Sequence, residues 1–135
     1  MLTRTLYIIV IGVLLTACGQ QQTDTTTAAR CLEEAEAALS ADSIRQGETL
    51  LRKAIRLSEA SEDWHTNYIA RQLLAFCLSQ GNPEEALRLM KQALSVYEQH
   101  PDDERNHVIL LDYAGTYAAQ VAYAAEPPLP PAAYQ

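Results

Sequence analysis

The side chains best suited to chemistry are three cysteines (Cys18, Cys31, Cys77), three histidines (His65, His100, His107) and the acidic runs Glu33-Glu34, Glu84-Glu85 and Asp102-Asp103-Glu104. A zinc centre draws Cys and His at short fixed spacings, and no HExxH or comparable arrangement occurs. No glycine-rich phosphate loop, GxSxG elbow or Walker lysine is present either. Two of the acidic runs stand at expected helix starts, where carboxylates complement the positive end of the dipole, and Glu33-Glu34-x-Glu36 reads as a solvated face. Cys31 and Cys77 are too few and too far apart for a disulfide scaffold and fall where helix interiors are expected. A bridge between them stays open. The expectation is therefore no catalytic residue, no metal and no cofactor.

Cys18 is different because of what precedes it. Arg4 is followed by the apolar run Leu6-Tyr7-Ile8-Ile9-Val10-Ile11-Gly12-Val13-Leu14-Leu15, which closes on Leu15-Thr16-Ala17-Cys18-Gly19. A spanning helix needs about 20 apolar residues. This run stops short and gives way to Gln20-Gln21-Gln22-Thr23-Asp24-Thr25-Thr26-Thr27, which hydrocarbon would reject. A positive start, a short apolar region and small residues before a cut suit transient insertion and removal.

The order Leu15-Thr16-Ala17-Cys18 resembles the lipobox of bacterial lipoproteins. The resemblance implies a signal peptide over 1–17, cleavage, and acyl chains on the sulfur and amino group of Cys18. Each buried methylene adds about 0.8 kcal/mol of anchoring, so several chains hold where one exchanges. The resemblance also implies a bacterial envelope address, with Gly19 in place of the inner-membrane aspartate favouring the outer membrane. An ordinary secretory signal is the alternative.

Removing residues 1–17 leaves 118 residues, enough for one modest domain. The formal charge of the whole chain is -7; Arg4 is the only charge in 1–17, so the remainder carries -8. That sign repels nucleic acid and anionic headgroups, which excludes DNA or RNA as a partner. Residues 18–27 read as a polar tether, 28–125 as the folded domain and 126–135 as a proline-rich extended tail.

No stretch of the domain alternates with period two, so the fold class is all-α. Breaks at 40–43, 58–63, 81–83 and 100–103 place five helices at about 28–40, 43–60, 64–80, 83–99 and 103–125. Ser43 with Gln46 has capping-box spacing, and Asp63 or Ser61 suits the next cap. In Gly81-Asn82-Pro83-Glu84-Glu85, glycine fits a left-handed helix end, asparagine the cap, and proline the first helical position.

Ile44, Gly47, Leu51, Ala54 and Ser58 form one stripe; Ala86, Met90, Ala93 and Tyr97 form another, 39 residues on from Gly47, Leu51, Ala54 and Ser58. Ala35, Leu74 and Ala114 keep an offset of 39 to 40, as do Ala38, Cys77 and Tyr117. Two helices per unit at a fixed period describe stacked antiparallel hairpins. Leu73-Leu74, Cys77, Gly81, Ala86, Met90 and Ala93 resemble a tetratricopeptide repeat (TPR). That family's period is 34. Here each helix is about a turn longer, and about two and a half repeats fit. The resemblance implies an α-solenoid whose first helices line a concave face, directing Asn67, Tyr68 and Arg71 toward a protein or peptide partner. Pairing of Arg71 with Glu34 or Glu36 is the bland alternative.

The last helix is apolar nearly all round, through Val108-Ile109-Leu110-Leu111, Tyr113, Tyr117, Val121 and Tyr123, with no second helix after it. Leu110, Tyr113, Tyr117 and Val121 are thus interface candidates: the helix docks on the stack, pairs as a homodimer, or precedes further repeats. Three function classes follow: a lipid-anchored interaction scaffold, an extracytoplasmic input module of a longer signalling protein, and a small envelope hydrolase, which lacks any motif. The interaction scaffold is the expected function.

Overall fold

The structure, a computed structural model, describes residues 27–128. Segment 1–17, Cys18, the tether up to residue 26 and the tail from 129 onward lie outside the described residues. Within them all regular structure is helical: α1 (27–40), α2 (Ile44–Ser61), α3 (Trp64–Leu78), α4 (Pro83–Gln99) and α5 (Glu104–Ala125). The chain divides into two compact units, one ending at Ala70 and the other beginning at Arg71.

In the first unit, α1 buries Ala28, Cys31, Ala35 and Ala38. These residues recur every three or four positions, as one face of a helix must. α2 buries Gly47, Leu51, Ala54 and Ser58 in the same rhythm. A fully buried leucine such as Leu51 contributes about 2 kcal/mol of apolar burial. The helices approach closely because residue 47 has no side chain: a Cβ there would lie 2.6 Å from Leu39 Cδ2.

Both helices of this unit end in the same way. Ser43 N–H donates to Ala38 O at 2.8 Å and Asp42 N–H to Leu39 O at 3.1 Å; Asp63 N–H donates to Ser58 O at 2.9 Å and Glu62 N–H to Glu59 O at 3.4 Å. These are Schellman motifs. Their left-handed seats are taken by Asp42 (φ 61°) and Glu62 (φ 57°), side chains that such backbone normally disfavours. The left-handed glycine expected at Gly81 is not found, since no described glycine has positive φ. The capping box expected at Ser43 and Gln46 does not form either: Ser43 stands at the N-cap without a side-chain bond.

α3 starts on Asp63, whose carboxylate accepts from the Thr66 amide at 3.3 Å and hydroxyl at 2.6 Å. In the second unit, Asn82 caps α4 by accepting from Glu85 N–H at 3.2 Å, with Pro83 opening the helix. Asp103 caps α5 by accepting from Arg105 N–H at 3.0 Å. α3 ends at Leu78, two residues before the expected stop, and residues 79–81 form turns.

Side-chain contacts bridge three of the turns between successive helices. Asn67 meets Ser58 across the α2–α3 turn, Arg71 meets Gln92 across the α3–α4 turn, and Tyr97 stacks on His107 across the α4–α5 turn. The buried positions repeat as well: Ala86, Met90, Ala93 and Tyr97 of α4 stand 39 residues beyond Gly47, Leu51, Ala54 and Ser58, all eight buried. Ala28, Cys31 and Ala35 of α1 have Asn67, Ala70 and Leu74 as buried counterparts in α3 at the same interval.

Candidate functional site

The three residues expected to face a partner have different surroundings. Asn67 and Tyr68 are 0% exposed. The Asn67 amide donates to Ser58 Oγ at 3.1 Å and to Ile55 O at 3.3 Å, while Ser58 Oγ also donates to Ile55 O at 2.9 Å. This small polar knot holds α3 to the last turns of α2. The Tyr68 hydroxyl shares a hydrogen bond with His65 Nδ1 at 3.0 Å, and the two rings meet edge to face at 5.2 Å. Asn67 and Tyr68, expected to face a partner, are thus buried here and hydrogen-bonded inside the first unit. Burial of an asparagine reads the same in sequence as its exposure on a groove, and only the Ser58 hydroxyl, nine residues back, hints at the difference.

Arg71 is half-buried and donates through Nη1 to Gln92 Oε1 at 2.6 Å. Gln92 thus forms part of its surroundings, a neighbour that acidic spacing alone did not suggest.

The interface candidates of α5 divide. Leu110 and Tyr117 are buried, Val121 is half-buried, and Tyr113 is on the edge of exposure. Leu110 and Tyr117 are thus covered within the second unit, as docking of the helix on its own chain would have it, and are not open to a second molecule. The apolar side chains that do face outward are Val108 at 63% and Leu111 at 51% exposure, with Ile109 and Tyr123 also exposed. Sequence reasoning saw that α5 is apolar all round but not which side the α4–α5 packing would cover.

On the other side of α5, a cleft of about 200 Å³ is lined by Gln72, Leu73 and Phe76 of α3 with Tyr113 and Tyr117. Phe76 is 63% exposed. Burial pushes the Tyr117 hydroxyl above its ordinary pKa, partly offset by a hydrogen bond with Ser79. Tyr113 and Tyr117 rings are tilted together with centroids 6.0 Å apart.

At the α4–α5 turn, the Tyr97 and His107 rings stack with centroids 4.9 Å apart and planes 15° from parallel. The Tyr97 hydroxyl is pushed above the usual range by burial and then by the negative charges of Asp102, Asp103 and Glu104. The Asp103 carboxyl is held below its usual range by hydrogen bonds from Arg105, whose guanidinium Nη2 lies 3.0 Å from Asp103 Oδ2.

Among the described residues every buried side-chain nitrogen and oxygen has a partner, and no cluster of three His, Cys, Asp or Glu is placed to hold a metal. Cys31 and Cys77 are not joined by a disulfide. No described helix is long and apolar enough to cross a membrane. What the geometry offers is surface: an outward apolar flank on α5 and an aromatic cleft behind it. No protein-family model matches the chain, and neither a curated protein nor a solved structure matches it at a significant level.

Proposed function

We propose that this chain is a lipid-anchored protein of the bacterial envelope, tethered through Cys18, whose TPR-like hairpins serve as a scaffold for other proteins. The observation that carries the binding half of this reading is the outward flank of α5, where Val108 and Leu111 stay more than half exposed. Apolar side chains left adjacent on a folded surface mark interfaces, because water contact costs about 25 cal/mol per Å². The 39-residue recurrence of buried positions supports the repeat architecture. The anchoring half is supported by the order Leu15-Thr16-Ala17-Cys18 after a short apolar run. No catalytic step, metal or cofactor is assigned.

Site-specific photocrosslinking in intact cells tests the scaffold. A photoreactive residue at Val108 is expected to yield discrete protein adducts, and Leu111→Ser in the same chain is expected to abolish them. Adducts unchanged by Leu111→Ser, or no adduct at all, would contradict the reading.

A further inference from the structure

We propose that the aromatic cleft of Phe76, Tyr113 and Tyr117 receives the proline-rich segment 127–131 of a second copy of this chain. At about 200 Å³ the cleft is smaller than the roughly 300 Å³ at which small-molecule sites begin. It suits one or two side chains of an extended peptide.

Its chemistry is that of a polyproline receptor. Aromatic faces accept proline rings, and donors beside them meet the carbonyls that a polyproline II helix leaves without internal hydrogen bonds. Phe76, Tyr113 and Tyr117 supply aromatic rings to the lining, and Gln72 and the tyrosines are residue types able to donate.

The chain carries a matching ligand. Pro127-Pro128-Leu129-Pro130-Pro131 contains the PxxP spacing twice, from Pro127 to Pro130 and from Pro128 to Pro131. Glu126, the residue that leads into it, leaves α5 with φ -68° and ψ 134°. Those angles are close to the polyproline II values of about -75° and +145°. Glu126 thus directs the chain out of the helix along the backbone course that such a cleft selects, and proline fixes φ near the polyproline II value by its ring, which lowers the ordering cost of binding.

Stereochemistry decides whose cleft it fills. Tyr117 and Tyr113 lie behind Ala125 on the same helix, about 12 and 18 Å back at about 1.5 Å per residue. Reaching them in its own chain demands an immediate reversal. Glu126, Pro127, Leu129 and Pro130 each precede a proline, and a pre-proline residue is kept out of the α region that a common tight turn requires. A neighbouring copy presents its cleft without that reversal. The cleft and the segment belong to the same chain, so reciprocal exchange between two copies closes a pair instead of an open filament.

The test uses the full chain in detergent, with a photoreactive benzoylphenylalanine in place of Leu129, as an equal mixture of ordinary and ¹⁵N-labelled protein. Mass spectrometry is expected to find crosslinks from position 129 to peptides containing 72–76 or 113–117, with light–heavy pairs prominent among them. Phe76→Ala alters an exposed side chain, so it leaves the fold intact by circular dichroism; it should cut the yield about tenfold, the loss expected of an aromatic hot spot. Pro128→Ala with Pro131→Ala should do the same. Crosslinks confined to single chains, crosslinks elsewhere, none at all, or a yield indifferent to Phe76→Ala would overturn the proposal. None of these readouts involves Cys18 or the flank at Val108 and Leu111, so such a failure would leave the proposed function standing.

Discussion

Leu39 of α1 occupies the space that a side chain on Gly47 of α2 would need: a Cβ at residue 47 would stand 2.6 Å from Leu39 Cδ2 and 2.9 Å from its Cγ. Both distances are shorter than carbon atoms tolerate, so Leu39 would have to swing aside as a whole. The equivalent position 39 residues on is Ala86, which carries its Cβ and is buried. Replacing glycine by alanine inside a helix gains about 1 kcal/mol of propensity. Overpacking costs about 1 to 3 kcal/mol. Gly47→Ala is therefore expected to destabilise the chain by about 1 kcal/mol, and in a Leu39→Ala background to stabilise it by a similar amount. Urea denaturation of the four chains of this cycle checks the sign change.

The Asn67 amide, buried against Ser58 and Ile55, gives a second prediction. Asn67→Ala removes two donors and leaves a void, so we expect a loss of about 1 to 3 kcal/mol. If Asn67 served a partner instead, the free protein would unfold at an unchanged temperature while complex formation weakened. Thermal unfolding of the isolated variant separates the two.

Glu62 and Asp42 hold left-handed backbone at helix ends. That conformation costs a side chain roughly 1 to 2 kcal/mol and costs glycine almost nothing. Glu62→Gly should raise stability by about 1 kcal/mol, and Asp42→Gly by less, because aspartate tolerates the region better. The measurement is the shift in unfolding midpoint for each single variant.

How much of this was legible in the sequence differs from one helix end to the next. Asn82-Pro83-Glu84-Glu85 announced the start of α4 because each residue fits one cap position for a separate reason, and the structure places the helix there. The ends of α1 and α2 carried no such sign. A Schellman motif built on aspartate or glutamate has no glycine to mark it, and the seat expected of Gly81 went unused. Burial was the least legible quantity. The α2 and α4 stripes could be traced by period, whereas α3 mixes Thr66, Asn67 and Tyr68 into its buried face, so polarity misdirected the reading. On α5 almost every face is apolar, and period alone could not tell Leu110, which is buried, from Leu111, which is exposed.

The raised pKa of Tyr97 fixes a sign for alkaline behaviour. A phenol whose folded pKa exceeds the unfolded value of about 10 adds stability that is complete below that pH and lost as pH rises through the folded value. Stability should hold through neutral pH and decline above about 10. Tyr97→Phe, which keeps the ring against His107, should flatten that decline. Denaturant midpoints of both chains between neutral and alkaline pH, with tyrosinate absorbance as a second readout, test it.

The central claim is that Cys18 ties an array of helical hairpins to a membrane. Intact-mass spectrometry of the protein recovered from bacterial membranes addresses it most directly. The account predicts a chain that begins at Cys18 and is heavier than its residues by several acyl groups, with Cys18→Ala lost from the membrane fraction. A membrane-bound chain that retains residues 1–17, or one cut there but carrying no lipid, would contradict it.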